Sequence, residues 1–226
     1  MHPAERFTAQ FTARFTDEWN QIVAAPDPAW RATGNDLRAR HQESWRAYHG
    51  VQHVLAVIDA LRALSVDLDT KPSTAHMLAA FFHDAIYDPT ATGGVNEQAS
   101  ARLAEETLAE VVAAGQLRPQ TLQDAAAMIR ATAGHQLIPV PGADVFLDAD
   151  LSILAAEPDI YRRYTQAIRR EYAHVEEEAF RAGRAQIMTA FLERDQLYFS
   201  APGRNRWETA ARRNVAAEIA ELSADV

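Results

Sequence analysis

Cysteine is absent from the 226 residues. That excludes disulfides, zinc ribbons, iron–sulfur clusters and thiol nucleophiles, so a bound metal must sit on histidine and carboxylate. Lysine is nearly absent as well: of 22 basic residues only Lys71 is a lysine. Arginine beside abundant alanine reads as a coding bias, and the arginine count is therefore no argument for phosphate binding. Asp and Glu number 31, for a net charge of −9, which disfavours diffuse attraction to a nucleic acid polymer or an anionic membrane. The 9 glycines and 10 prolines are spread thinly, with no low-complexity tract and no repeat period. No apolar run approaches the ~20 residues of a membrane span, and the N-terminus lacks the apolar stretch of a signal peptide. A cytoplasmic location is expected.

What is present is helical periodicity. Hydrophobic residues make up 48% of the chain, enough for a substantial core, and one domain over 1–226 is the default. Phe7, Phe11, Phe15 and Trp19 recur every fourth residue and place four aromatics on one face of an opening helix. Pro26 and Pro28 end it, and a second helical stretch covers about 35–45. Val54, Leu55, Ile58, Leu61 and Leu64 make a third. Pro72 and Ser73 open a fourth, running through the His83-Asp84 pair toward Pro89 and Gly93-Gly94. A long amphipathic helix spans about 96–114, another 119–133, and the pattern turns helical again near Asp148. Three more cover 158–175, 178–194 and 206–222. No segment alternates with period two, so the fold class is all-α.

Four polar elements interrupt these apolar helices: His53, His83-Asp84, His135 and Asp150. The His-Asp pair directly follows Ala79, Ala80, Phe81 and Phe82. Burying a carboxylate without a partner costs several kcal/mol, and no arginine or lysine lies within one turn of Asp84. A divalent metal would satisfy carboxylate and imidazole together. His49 and His53 have zincin spacing, but Gly50 stands where that motif needs a glutamate. The helix is expected to start near Gly50, with His53 inward and His49 in the loop at the mouth of the site. Asp148 and Asp150 would lie ~200° apart on a helix and cannot face one site. Asp150, flanked by Ile153 and Leu154, is the inward one, and Asp148 the better N-cap candidate.

The order H…HD…D resembles the HD superfamily of metal-dependent phosphohydrolases. The segments YH…HV, FFHDAIYDP, NEQASARLA, FLDADLSIL, YRRYTQAIRREYAHV, FRAGR and FLERDQLYF are similar to an uncharacterised bacterial family of predicted HD phosphohydrolases. The resemblance implies a helical core over about 45–155 with the helices of 157–222 packed on it. It implies a metal on His53, His83, Asp84 and Asp150, the ion being Mn, Mg, Fe, Co, Ni or Zn. A more distant likeness of YHGVQHV and ADLS to cyclic-nucleotide phosphodiesterases implies His49 as proton donor. Many binuclear relatives carry a histidine soon after the pair; Asn96-Glu97 stands there instead. His135 is either a second-metal histidine or a cation at its helix C-terminus.

The expected reaction is attack of a metal-activated water on a phosphate ester, a nucleotide or small phosphorylated metabolite, with Asp84 accepting the water's proton or bridging a second ion. The family-like polar residues Arg46, Asn96, Glu97, Arg169, Glu171, Tyr172 and Arg184 are the substrate contacts that the resemblance implies. Tyr161 and Tyr164 read as packing, and Asp88 as a turn residue or a partner of a ligand histidine. An HD-type iron oxygenase and a non-catalytic nucleotide-binding module are the alternatives. A homodimer stays open.

Overall fold

A computed structural model describes residues 3–224, with side chains from residue 9 onward. Among these the chain is all-α, with eleven α-helices and one 3-10 helix. The first eight helices are α1 (Pro3–Asn20), α2 (Pro28–His41), α3 (Val51–Asp67), α4 (Thr74–Phe82), α5 (Val95–Thr107), α6 (Ala109–Ala113), α7 (Pro119–Ala131) and α8 (Ala143–Asp150). The 3-10 turn Leu151–Ala155 follows, then α9 (Pro158–Glu171), α10 (Glu177–Leu192) and α11 (Ala201–Ser223).

The aromatic face of α1 docks α2 and α4. Phe15 and Trp19 are fully buried, and Phe15 meets Phe81 edge-on at 4.8 Å between ring centroids. Phe7 lies outside the described side chains. Trp19 stacks on Trp30 at 4.2 Å, and each indole N–H donates to the other residue's carbonyl oxygen, at 2.8 and 3.2 Å. Buried rings of this size contribute ~1.5–3 kcal/mol each by apolar burial alone.

Several helix boundaries differ from expectation. α2 starts at Pro28, not near 35, because the Asp27 carboxylate accepts the Trp30 N–H (2.8 Å) and Pro28 fits the first helical position. The stretch 96–114 breaks into α5 and α6 at Leu108, whose side chain is fully buried. α4 stops at Phe82, so His83 and Asp84 cap a helix end instead of continuing it. The Arg46 guanidinium takes the carbonyl oxygens of Asp84 (2.6 Å) and Ala85 (3.3 Å), acceptors that another helical turn would use. α11 begins at Ala201, earlier than 206, because Ser200 caps it by accepting the Gly203 N–H.

Asp148 is not an N-cap of its own helix. It lies buried inside α8, where its carboxylate accepts the N–H groups of Phe199 (2.7 Å) and Ser200 (2.8 Å) and the Ser200 hydroxyl (2.6 Å). It therefore anchors the entrance of α11, fifty residues away. Burial pushes its carboxyl up to about 6, against the bonds from Ser200 and Phe199.

The main core is shared by α1–α5, α7 and α8, and α3 contributes Val54, Leu55, Ile58, Leu61 and Leu64 to it. A smaller core joins the 3-10 turn to α10 and α11 through Leu154, Met188, Tyr198 and Val215. Trp207 packs against both. Among the described residues no helix is long and apolar enough to cross a membrane.

Candidate metal centre

Four backbone breaks deliver the polar side chains to one place. Gly50 caps α3, leaving His49 in the loop before it and His53 in the first turn. The end of α4 presents His83 and Asp84, and the end of α8 presents Asp150, where the α-helix tightens into the 3-10 turn. His135 lies beyond α7 with φ 44°, in the left-handed region that a non-glycine residue adopts at a cost. Arg194 holds it there by donating to the carbonyl oxygens of Gly134 (2.9 Å) and His135 (3.0 Å).

The donor atoms of His53, His83 and Asp150 lie within 4.8 Å of one another. The two imidazole Nε2 atoms face each other at 2.9 Å. Asp150 Oδ1 stands 3.2 Å from His53 Nε2 and 3.4 Å from His83 Nε2. Asp84 Oδ2 closes on the same atoms from its own side, at 3.4 and 3.1 Å. His135 Nε2 meets the other Asp150 oxygen at 2.9 Å.

These residues fit a divalent ion. His83 Nδ1 donates to the Ala80 carbonyl oxygen (3.0 Å), which fixes its proton there and turns the Nε2 lone pair toward the cluster. Two Nε2 atoms at 2.9 Å cannot both be bare or both protonated without a shared cation or the two carboxylates between them. Burial by itself would lower both imidazoles, yet Asp84 and Asp150 hold His53 above and His83 well above the ordinary range. Burial likewise opposes the charge on Asp84 and Asp150, and the histidines, His83 foremost, still keep both carboxyls well below theirs. The site is built for positive charge among four converging donors, and two of its three closest-set members are almost fully buried.

His49 faces the same cleft but is held differently. The Glu171 carboxylate, itself 5% exposed, accepts from His49 Nδ1 (2.6 Å) and from the backbone N–H groups of Tyr48 (2.6 Å) and His49 (3.0 Å). Burial would raise that carboxyl, and the bonds from the His49 loop bring it below its ordinary value. With Nδ1 committed, Nε2 is the imidazole atom left for chemistry.

A cleft of about 650 Å³ reaches His49, His53, Asp84, His135 and Asp150. Of the expected substrate contacts, Glu97, Tyr172 and Arg184 line it, while Arg46, Asn96, Arg169 and Glu171 do not. Arg46 staples the His49 loop to the His83-Asp84 turn, bonding the carbonyl oxygens of His49, Asp84 and Ala85 and the Glu43 carboxylate. Asn96 bridges both backbone groups of Asp88, and Asp88 folds a tight turn by accepting from Thr90. Arg169 pairs with Glu177 and closes the end of α9 on the carbonyl oxygens of Tyr172 and Val175. Arg184 is held by Glu218 (2.8 Å) and the Tyr164 hydroxyl (2.9 Å). The anchoring role of Glu171 and the neutralising role of Glu218 had no local signature, because their partners are 122 and 34 residues away.

Comparison with protein-family models, curated proteins and solved structures finds no match to this chain.

Proposed function

We propose that the protein is a metal-dependent phosphohydrolase of the HD type, acting on a phosphate ester such as a nucleotide or small phosphorylated metabolite. The observation that carries this reading is the convergence of His53, His83, Asp84 and Asp150 from three separate segments onto one point at the floor of a cleft.

A divalent ion bound there supplies Lewis acidity toward a phosphoryl oxygen and lowers the pKa of a bound water. The chain's own residues do the rest. Asp84, with 16% of its side chain exposed, is the ligand set's most accessible carboxylate and is placed to take a proton from an attacking water. His49 acts as an imidazolium whose Nε2–H is given to the departing oxygen, while Glu171, accepting from Nδ1–H, orients the ring and stabilises its charge. No covalent nucleophile is needed.

His135 favours a second reading on one observation, its 2.9 Å approach to the outer Asp150 oxygen. A third imidazole beside a shared carboxylate suits a binuclear centre, whether hydrolytic or an oxygen-activating di-iron site. Iron content with oxygen uptake would identify the latter.

The test is a metal-supplemented hydrolysis screen over phosphomonoesters, nucleotides and cyclic nucleotides on the wild type and Asp84→Ala. Metal-dependent release of alcohol or phosphate by the wild type alone supports the proposal. No hydrolysis of any ester with any of the six metals contradicts it.

A further inference from the structure

We infer that the cleft selects esters carrying one phosphate on an uncharged apolar or aromatic body, and discriminates against polyphosphates. This rests on the phosphohydrolase reading for the position of the phosphoryl group. The selectivity itself follows from what the rest of the cleft offers a ligand.

The cleft holds little positive charge for a ligand. Its two arginines are both committed to the protein: Arg184 is neutralised by Glu218, and Arg194 is spent on the carbonyl oxygens of Gly134 and His135. Glu97 also lines the cleft and has no hydrogen-bond or ion-pair partner among the described residues. With one divalent ion in place, the ion and Arg194 together only balance Asp84, Asp150 and Glu97. The phosphoryl group that reaches the ion is met by charge. A second or third phosphate would meet an unpaired carboxylate and, as cation, only the Arg194 guanidinium already turned to two carbonyl oxygens, and like charges at close range repel.

The remaining surface is apolar. Tyr87, Tyr172, Phe180 and Phe191 present ring faces or edges, and Ile187 is 53% exposed at the rim. A large aliphatic side chain left in water beside aromatic rings is the kind of surface that an apolar ligand covers.

The test uses the full chain in excess Mn2+, titrated calorimetrically with 1-naphthylmethyl phosphonate, which has no ester to hydrolyse, and with adenylyl imidodiphosphate, whose turnover would itself count against the inference. The phosphonate is expected to bind at least ~10-fold more tightly. Ile187→Glu, at an exposed position where folding is not at stake, is expected to weaken the phosphonate by about fivefold or more. Equal or tighter binding of the polyphosphate, binding of neither ligand, or an unchanged phosphonate affinity in the Ile187 variant would each overturn the inference. Hydrolysis of 1-naphthyl phosphate is measured alongside. Tight phosphonate binding without hydrolysis would sink the hydrolase reading and leave the selectivity standing.

Discussion

Replacing Glu171 by glutamine keeps the shape of the side chain and removes one charge. The amide oxygen can still accept the backbone N–H groups of Tyr48 and His49, now at 2.6 and 3.0 Å, so the loop before α3 should hold its path. The amide nitrogen, however, now faces His49 Nδ1, where a carboxylate oxygen stood at 2.6 Å. A donor in that place asks Nδ1 to accept, moves the imidazole proton to Nε2 and withdraws the negative charge that stabilises an imidazolium. A hydrogen bond to a charged partner is worth ~1.5–3 kcal/mol net, which corresponds to about 10- to 150-fold in rate. The expected outcome is a fall of kcat in that range on the best phosphate ester from the screen, with KM and bound metal changed by less than about twofold. His49→Ala should lower kcat by at least as much. The double variant should lose little more than His49→Ala alone, since the two residues act as one unit. Wild-type kcat in Glu171→Gln, or a parallel loss of metal and rate, would refute the dyad as the proton-holding device.

Three further outcomes are expected. His41 is buried, donates through Nε2 to the Phe81 carbonyl oxygen (3.0 Å), and is pushed by burial from 6.5 to about 3. A histidine neutral in the fold and protonated in the unfolded chain leaves stability intact above pH ~6.5 and removes up to about 5 kcal/mol as pH falls toward 3. Urea denaturation of His41→Gln should therefore show a flatter loss between those limits, and an unchanged slope would place the acid sensitivity elsewhere. At Gly34 a Cβ would collide with the Trp19 indole. Gly34→Ala should thus cost ~1–3 kcal/mol by overpacking, readable as a lowered Tm, and a neutral result would mean the Trp19–Trp30 stack can slide aside. Asp148→Ala removes three acceptor contacts at the start of α11 and should cost ~2–4 kcal/mol while leaving bound metal unchanged; metal loss without destabilisation would give Asp148 the role assigned to Asp150.

The all-α class was legible because apolar residues recur at helical spacing through nearly every segment, and propensity and burial agree there. The pairing of His83 with Asp150 was legible for another reason: a buried ionisable group advertises a missing partner, and the facing of Asp150 away from Asp148 follows from helix geometry, whereas His53 rested mostly on the resemblance. The expected helix around His83-Asp84 was wrong in its length. Its end is set by Arg46, a residue 38 positions upstream, and no local pattern around 79–87 encodes that. The same limit explains Asp148. Its position in the sequence reads as a cap, and only the tertiary fold reveals that it instead anchors Phe199 and the Ser200 cap at the entrance of the helix that starts at residue 201. Candidate substrate arginines and Asn96 were chosen as polar residues of the family-like segments, whereas their bonding partners, carbonyl oxygens above all, leave no trace in composition.

The most direct test of the central claim is the metal content of Asp84→Ala measured beside the wild type, both purified after loading with Mn2+ and extensive dialysis. The wild type is expected to retain close to one ion per chain, or more if His135 completes a second site. The variant is expected to retain little and to lose phosphate-ester hydrolysis with it, while keeping its helical content. Full occupancy in the variant, or no ion in the wild type, would contradict a metal held by His53, His83, Asp84 and Asp150.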